Sequence, residues 1–136
     1  RSDKKLSIDG FLIQEMVQGG VEFFVGARQD EHFGPIVTVG LGGVFIEIFK
    51  DRSLRLAPVT VAEAHDMIRQ LHSYPIIQGA RGKEPLDETA LVEVICRISF
   101  LMSAFPEISE IDLNPVILHP QGRGVSIVDA RVFFGK

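Results

Sequence analysis

The 136 residues are enough for one folded domain, and 46% of them are hydrophobic, which excludes a disordered tail. The net charge of −4 gives no basic footprint for nucleic acid, and no apolar run approaches the roughly 18 to 20 residues of a membrane span. A single cysteine, Cys96, excludes an internal disulfide and favours a reducing, cytoplasmic setting.

The first half of the chain is predicted to form β-strands joined by turns. Residues 1–9 are a charged lead-in that runs directly into apolar residues, so we expect a piece cut from a longer protein. Alternation and turn residues predict strands at 11–17, 21–28, 36–39 and 44–49. The glycines at 40–43 either let the backbone approach an anion closely or form a simple turn. Glu47, between two isoleucines, points away from both, into solvent or into a site.

Two helices are predicted in the second half, after a short strand at 54–57. Thr60 and Glu63 form a capping box ahead of apolar residues at helical spacing, whereas His65 and His72 lie off that apolar stripe and are expected at the surface. Asp87 caps a second helix that ends before Pro106. An irregular connection, 74–82, presents Arg81, which either clamps an anion or makes a structural ion pair. Strands, two helices and further strands predict an α+β domain, a mainly antiparallel sheet covered by two helices.

The C-terminal stretch is predicted to be a hairpin whose turn is centred on residues 121–122. Its two arms, 110–118 and 125–131, both alternate apolar and polar residues. This register places Asn114 opposite Asp129 and Asp112 opposite Arg131, with all four on one face. The opposite face is expected to pack and carries Ile111, Leu113, Val128, Ala130 and Val132.

The polar face of the hairpin is a candidate metal site. Two carboxylates and an amide supply hard oxygen ligands without completing an octahedron, which is typical of Mg²⁺ or Mn²⁺ that shares its remaining positions with substrate phosphates and water. The alternative is a solvated sheet face, since a register shift of one residue would turn Asp129 away from Asn114. Asp112 opposite Arg131 is equally compatible with a cross-strand ion pair.

Seven motifs in fixed order resemble the nucleotide-binding part of an ATP-grasp domain. They are IQEM (13–16), GGVE (19–22), HFGP (32–35), GLGGVFIE (40–47), GARG (79–82), IDLNP (111–115) and VDAR (128–131). The resemblance is to the ADP-forming acyl-CoA synthetases, which are related to succinyl-CoA synthetase β subunits. It implies that residues 1–136 are a single C-terminal ATP-grasp subdomain from a longer synthetase chain.

The resemblance also implies roles for individual residues. Four residues would form the hinge that binds adenine through its backbone: Gln14, Glu15, Met16 and Val17. Glu22 would lie near ATP or ADP, and Glu47 would lie near the phosphoryl transfer as a catalytic residue. Asn114 and Asp129 would hold Mg²⁺ (or Mn²⁺), with Asp112 beside them. None of His32, His65, His72 and His119 matches the phosphohistidine of that family.

In the family resembled, acyl-CoA and phosphate are converted to acyl phosphate and CoA, and a histidine passes the phosphoryl group reversibly to ADP. The upstream ATP-grasp subdomain and the CoA-binding and ligase domains are absent from the 136 residues, so these are the expected partners, with a homo-oligomer also possible. We expect no nucleic acid or membrane partner and no synthetase activity from this chain alone. Two alternatives stay open: a ligand-sensing module of a protein lysine acetyltransferase, and another ATP-grasp ligase that joins a carboxylate to an amine or thiol.

Overall fold

The structure is a computed structural model that describes residues 19–43 and 51–135. Within these ranges a single antiparallel sheet runs in the order β3-β2-β1-β4, and two further strands, β5 and β6, pair with the far side of β4. The strands are β1 (Val21–Asp30), β2 (Gly34–Leu41), β3 (Arg52–Leu56), β4 (Ile108–Leu118), β5 (Val125–Ile127) and β6 (Ala130–Phe134).

Three α-helices connect the two groups of strands: α1 (Val61–Arg69), α2 (Tyr74–Ile77) and α3 (Glu88–Ala104). The capping box of α1 is confirmed, because the Thr60 N–H donates to Glu63 Oε1 at 2.8 Å and the Glu63 N–H donates to Thr60 Oγ1 at 3.1 Å. The Asp87 cap is confirmed as well, since its Oδ1 accepts the Ala90 N–H at 3.2 Å. No helix of the described ranges is long and apolar enough to cross a membrane.

The expectation of an irregular connection at 74–82 is wrong. It contains α2 and a 3₁₀ turn at Ala80–Gly82. Pro75 occupies the first turn of α2, where its missing N–H costs nothing, and the buried carboxylate of Asp51 accepts the N–H groups of His72 and Ser73 just before the helix. Asp51 lies more than twenty residues before α2 in the sequence, so the residues of 74–82 alone did not indicate a helix.

The core lies between one face of the sheet and the two longer helices, as the α+β prediction requires. Alternate residues of β1, Phe23, Val25 and Ala27, are buried against apolar side chains of α1 and α3 such as Met67 and Ile95. Because successive strand residues point to opposite faces, the intervening residues of β1 face away from the helices. This second face carries the polar side chains discussed below.

Several strand boundaries differ from those expected, and two of these differences lie at the glycine segment and next to it. β2 continues through Gly40 and Leu41, so the first half of the predicted glycine loop is strand, and β3 begins at Arg52 instead of Leu54. Gly40 pairs with Arg52 and with Phe24, which extends the ladder of three strands to this point. The predicted strands at 11–17 and 44–49 lie outside the described residues.

Candidate functional site

The predicted register of the C-terminal hairpin is confirmed. Asp112 pairs with Arg131 on β4 and β6, and the Asn114 N–H donates to the Asp129 carbonyl oxygen at 3.1 Å. The same register continues into β5, where Val116 pairs with Ile127. The fold therefore brings Asp112 and Asn114 on β4 close to Asp129, which lies between β5 and β6.

The hairpin is irregular where Asn114 and Asp129 meet. On one side of β4, the register with β1 shifts opposite residues 114–115; on the other, residues 128–129 separate β5 from β6. Irregularities of this kind change the direction of side chains and recur next to functional sites. Asn114 and Asp129 are exposed and Asp112 is half-buried, so all three are accessible to a ligand.

The expectation that the whole apolar face of the hairpin packs is wrong for its second arm. Ile111 and Leu113 on β4 are buried, but Val128 and Val132 are 42% and 45% exposed. The reason is the width of the helical layer: α3 packs on β1, β2 and β4, whereas β6 lies beyond β4 at the side of the sheet.

A cavity of about 410 Å³ opens on the sheet face that the helices leave uncovered. Asp112 and Asn114 form one end of it on β4, and Arg52 and Leu54 form the other on β3. Between them lie residues of the central strands β1 and β2. The remaining lining residues are Phe24, Gly26, Ala27, Arg28, Thr38, Glu110 and Ile111.

The floor of the cavity, which we define as Gly26 and Thr38, is low because both residues have small side chains. The two residues lie in one row of paired residues that crosses the sheet. Thr38 pairs with Leu54 and with Gly26, and Gly26 pairs with Asp112, so one continuous row crosses four strands. A Cβ on Gly26 would meet only the Ile111 carbonyl oxygen, at 3.5 Å, so the space above it is open. A ligand can therefore approach the sheet closely between Arg52 and Asp112.

The charges around the cavity are divided between its ends. Asp112 lies at the β4 end, Arg52 lies at the β3 end, and Arg28 pairs with Glu110 across the β1–β4 ladder. Arg28 also lies 3.8 Å from Asp30 in an ion pair. Among the described residues, Asp112 and Arg131 are ladder partners without an ion pair between their side chains.

The donor set fits Mg²⁺ or Mn²⁺. Asp112, Asn114 and Asp129 offer only carboxylate and amide oxygens, which are the ligands that these hard cations prefer. No group of three or more His, Cys, Asp or Glu side chains is arranged to hold a metal within the described ranges.

Glu22 lies near the cavity but outside its lining. It is exposed on β1, its carbonyl oxygen accepts the Gly42 N–H at 2.8 Å, and its Oε1 is 3.8 Å from where a Cβ on Gly43 would be. The fold therefore brings Glu22 to the glycine segment 40–43. The other candidate residues, Gln14, Glu15, Met16, Val17 and Glu47, lie outside the described residues.

One of the two histidines of the α1 region has a structural role in place of the expected surface position. His72 is exposed, as expected, but His65 is half-buried, and its Nδ1 lies 2.6 Å from Glu88 Oε2. The Tyr74 hydroxyl donates to the other Glu88 oxygen at 3.0 Å. This network joins α1, α2 and α3 on the side of the sheet away from the cavity.

Sequence reasoning missed Arg52 as a member of the site. Its signal was the alternation of Asp51 and Ser53, which are buried, with Arg52 and Leu54, which are exposed. The predicted strand began at Leu54, so it did not include Arg52. Along β1, the more exposed residues Phe24, Gly26 and Arg28 alternate in the same way with buried residues.

A family model described as "ATP-grasp domain" matches residues 1–134. Over 130 residues the chain is 45% identical to 4-hydroxybutyrate–CoA ligase (ADP-forming) of Nitrosopumilus maritimus, covering 96% of this chain and 19% of that protein. It is 42% identical over 126 residues to the acetate–CoA ligase (ADP-forming) II subunit beta of Pyrococcus furiosus, covering 92% of this chain and 53% of that subunit. The chain thus spans about a fifth to a half of the length of these curated relatives.

A solved structure has the same fold. It is the dinucleotide-forming acetyl-coenzyme A synthetase 1 of Ca. Korarchaeum cryptofilum in complex with coenzyme A and Mg-AMPPCP. The TM-score is 0.85 at 42% identity, and the match covers 90% of this chain and 56% of that one.

Proposed function

Because the chain belongs to the ATP-grasp domain family, matched over residues 1–134, we propose that it is the Mg-nucleotide-binding part of an ADP-forming acyl-CoA synthetase. The reaction of the whole enzyme would interconvert acyl-CoA, ADP and phosphate with a carboxylic acid, ATP and CoA. The 136 residues would form one subdomain of that enzyme. Relatives named as ADP-forming CoA ligases and a structural neighbour titled as a complex with Mg-AMPPCP support this proposal.

One observation carries the proposal: Asp112 and Asn114 line the cavity on the uncovered face of the sheet, and the Asn114 N–H donates to the carbonyl oxygen of Asp129, which lies outside that lining. The buried face of the same sheet is committed to the core, so these oxygens are not needed for folding. Exposed carboxylates and an amide at one irregular place in a hairpin are typical of a ligand site rather than of packing.

In the proposed site, Asn114 and Asp129 hold the cation, and Asp112 orients it directly or through water. A bound Mg²⁺ offsets the negative charge of phosphate oxygens and fixes their orientation. The low floor at Gly26 and Thr38 lets the phosphates lie close to the sheet. Glu22 would lie beside the nucleotide, next to the glycine segment.

Several residues of this proposal are supported by the resemblance alone. Gln14, Glu15, Met16 and Val17 would contact adenine, and Glu47 would act at the phosphoryl transfer. The CoA-binding and ligase domains, in the parent chain or a partner subunit, would supply the acyl chemistry and the phosphohistidine. We also propose a cytoplasmic location, since the sequence has one cysteine and the proposed substrates are cytoplasmic metabolites.

The proposal is tested by equilibrium dialysis of the chain against labelled ADP with and without Mg²⁺. We expect binding that depends on Mg²⁺ and is lost in Asp129→Ala. The matched control is Asp66→Ala, which removes an exposed carboxylate from α1 on the opposite side of the sheet. Binding that does not need Mg²⁺, or that is equal in Asp129→Ala and wild type, would contradict the proposal.

The relatives described above are named as ligases or synthetases, so none of them favours the acetyltransferase-linked sensor. Product analysis of the complete enzyme distinguishes the third alternative. An ATP-grasp ligase acting on an amine would release an acylated amine and would not pass a phosphoryl group through histidine.

A further inference from the structure

Arg52 is the cationic side chain at the β3 end of the cavity. It lies at the first position of β3, pairs with Gly40, and shares its row with Phe24 on β1. Its side chain is exposed and lines the same cavity as Asp112 and Asn114. Neither the resemblance nor the comparisons assign it a role.

The acidic residue next to Arg52 in the sequence is engaged on the other side of the sheet. This residue, Asp51, is buried, and both of its carboxylate oxygens accept backbone N–H groups near α2, on the helix side of the sheet. Arg28, the other cation of the cavity, already has the Asp30 carboxylate at 3.8 Å. Arg52 is therefore the better placed of the two to bind an added anion.

The spacing between the two ends of the cavity suits a phosphate chain. Three strand steps of about 4.8 Å separate β3 from β4, so the backbones of Arg52 and Asn114 are roughly 14 Å apart. The direct row from Arg52 to β4 crosses Gly40 and Phe24, and the Phe24 ring packs on Gly40. A ligand would therefore join the two ends over Gly26 and Thr38, in the neighbouring row of the same cavity. A single nucleotide could then have its metal ion at the β4 end and its terminal phosphate at the β3 end.

We propose that Arg52 binds the terminal phosphate of the nucleotide whose metal is held by Asp112, Asn114 and Asp129. This inference rests on the proposed function and adds a residue to it. The planar guanidinium donates two parallel N–H groups to phosphate oxygens, which a lysine ammonium does not reproduce. The metal and Arg52 together neutralise the phosphate chain from opposite ends.

The test is the dissociation constant of ADP, and separately of AMP, measured by dialysis of the chain in the presence of Mn²⁺. Charge-assisted hydrogen bonds are worth enough that Arg52→Gln should weaken ADP binding about tenfold or more. AMP binding should change less than about twofold, because AMP lacks the phosphate that Arg52 contacts. Arg52→Lys should recover only part of the loss.

Two controls separate this contact from general effects. Arg97→Gln removes the same charge from α3, where Arg97 pairs with Glu93 far from the cavity, and should leave ADP affinity unchanged. The melting temperature should be the same in Arg52→Gln and wild type, and so should the binding of Mn²⁺ in the presence of AMP, measured by electron paramagnetic resonance. Together these readouts show that the metal ligands and the fold are intact.

Each outcome decides a different point. If wild type binds ADP with Mn²⁺ but Arg52→Gln binds it equally well, the role of Arg52 is wrong and the proposed function stands. Equal weakening of AMP and ADP, or equal weakening by Arg97→Gln, also overturns the role of Arg52. If wild type binds no ADP in the presence of Mn²⁺, the proposed function fails, and this inference fails with it.

Discussion

The two faces of the sheet differ in almost every physical respect, although they are built from alternate residues of the same strands. On the helix face, Phe23 and Val25 are fully buried in the core. On the uncovered face, Glu22 is exposed and Phe24 is half-buried, next to open space above Gly26. In this fold, residues that stabilise the core and residues proposed to bind the ligand occupy adjacent positions on one strand. Substitutions at neighbouring positions should therefore have separable effects.

The adjacent phenylalanines of β1 give the largest expected difference in stability. Phe23→Ala removes a fully buried ring and should cost about 3 to 5 kcal/mol of unfolding free energy, most of the stability of an ordinary domain. Phe24→Ala, on the uncovered face, should cost about 1 kcal/mol. Urea denaturation of both variants measures the two values. Equal costs would show that the uncovered face is also part of the core.

Gly40 and Gly26 should differ in how well they tolerate an added methyl group. A Cβ on Gly40 would lie 2.5 Å from the Asp51 carbonyl oxygen and 2.6 Å from the Phe24 ring, so Gly40→Ala should cost about 1 to 3 kcal/mol. A Cβ on Gly26 meets only ordinary contacts, so Gly26→Ala should keep its stability within about 0.5 kcal/mol.

Gly26→Ala should nevertheless weaken ADP binding, since the added methyl group raises the floor of the cavity. Urea denaturation and dialysis on the same samples measure both effects. A stable Gly26→Ala protein with unchanged ADP affinity would show that the phosphates do not lie over Gly26.

On β3 the comparison is between Ser53 and Arg52. The buried Ser53 hydroxyl donates to the Met67 carbonyl oxygen at 2.9 Å and so joins β3 to α1. Ser53→Ala should cost about 1 kcal/mol of stability and should not change ADP affinity. Arg52→Gln should do the opposite. Thermal melting measures the stability of both variants. An equal loss of stability in Ser53→Ala and Arg52→Gln would contradict the claim that only the buried face of β3 stabilises the fold.

The smallest expected effect is at the exposed end of β1. The backbone N–H groups of His32 and Phe33 donate to Asp30 Oδ1 at 2.8 and 3.0 Å, and they hold the pKa of this carboxyl below its ordinary value of 3.8. Since the pKa is lower in the folded state, the stabilisation is complete above pH 3.8 and is lost as the pH falls through the lower, folded value. NMR titration of the carboxyl should show the lowered pKa in wild type. A pKa at or above 3.8 would mean that this turn does not form in solution.

The hairpin was predictable because its signal is local. Alternation in both arms and a glycine turn determine the register, so the pairing of Asp112 with Arg131 followed from sequence alone. The caps of α1 and α3 were predictable for the same reason, since each involves residues three apart.

The features that sequence reasoning missed depend on distant contacts. The helix α2 begins where the carboxylate of Asp51 accepts N–H groups more than twenty residues away. The exposure of Val132 depends on where α3 lies over the sheet, which the alternation of β6 does not encode. The position of Arg52 at the end of the cavity depends on the pairing of β3 with β2 at Gly40, which the local sequence does not determine.

The most direct test of the central claim, a nucleotide-metal site on the uncovered face, is an amide NMR titration of the chain with ADP followed by Mn²⁺. We predict paramagnetic broadening centred on Asn114 and Asp129, chemical shift changes near Glu22, and loss of the broadening in Asp129→Ala. Broadening spread over surface carboxylates such as Glu93 and Glu107 at saturating ADP would contradict the assignment of the metal to this hairpin.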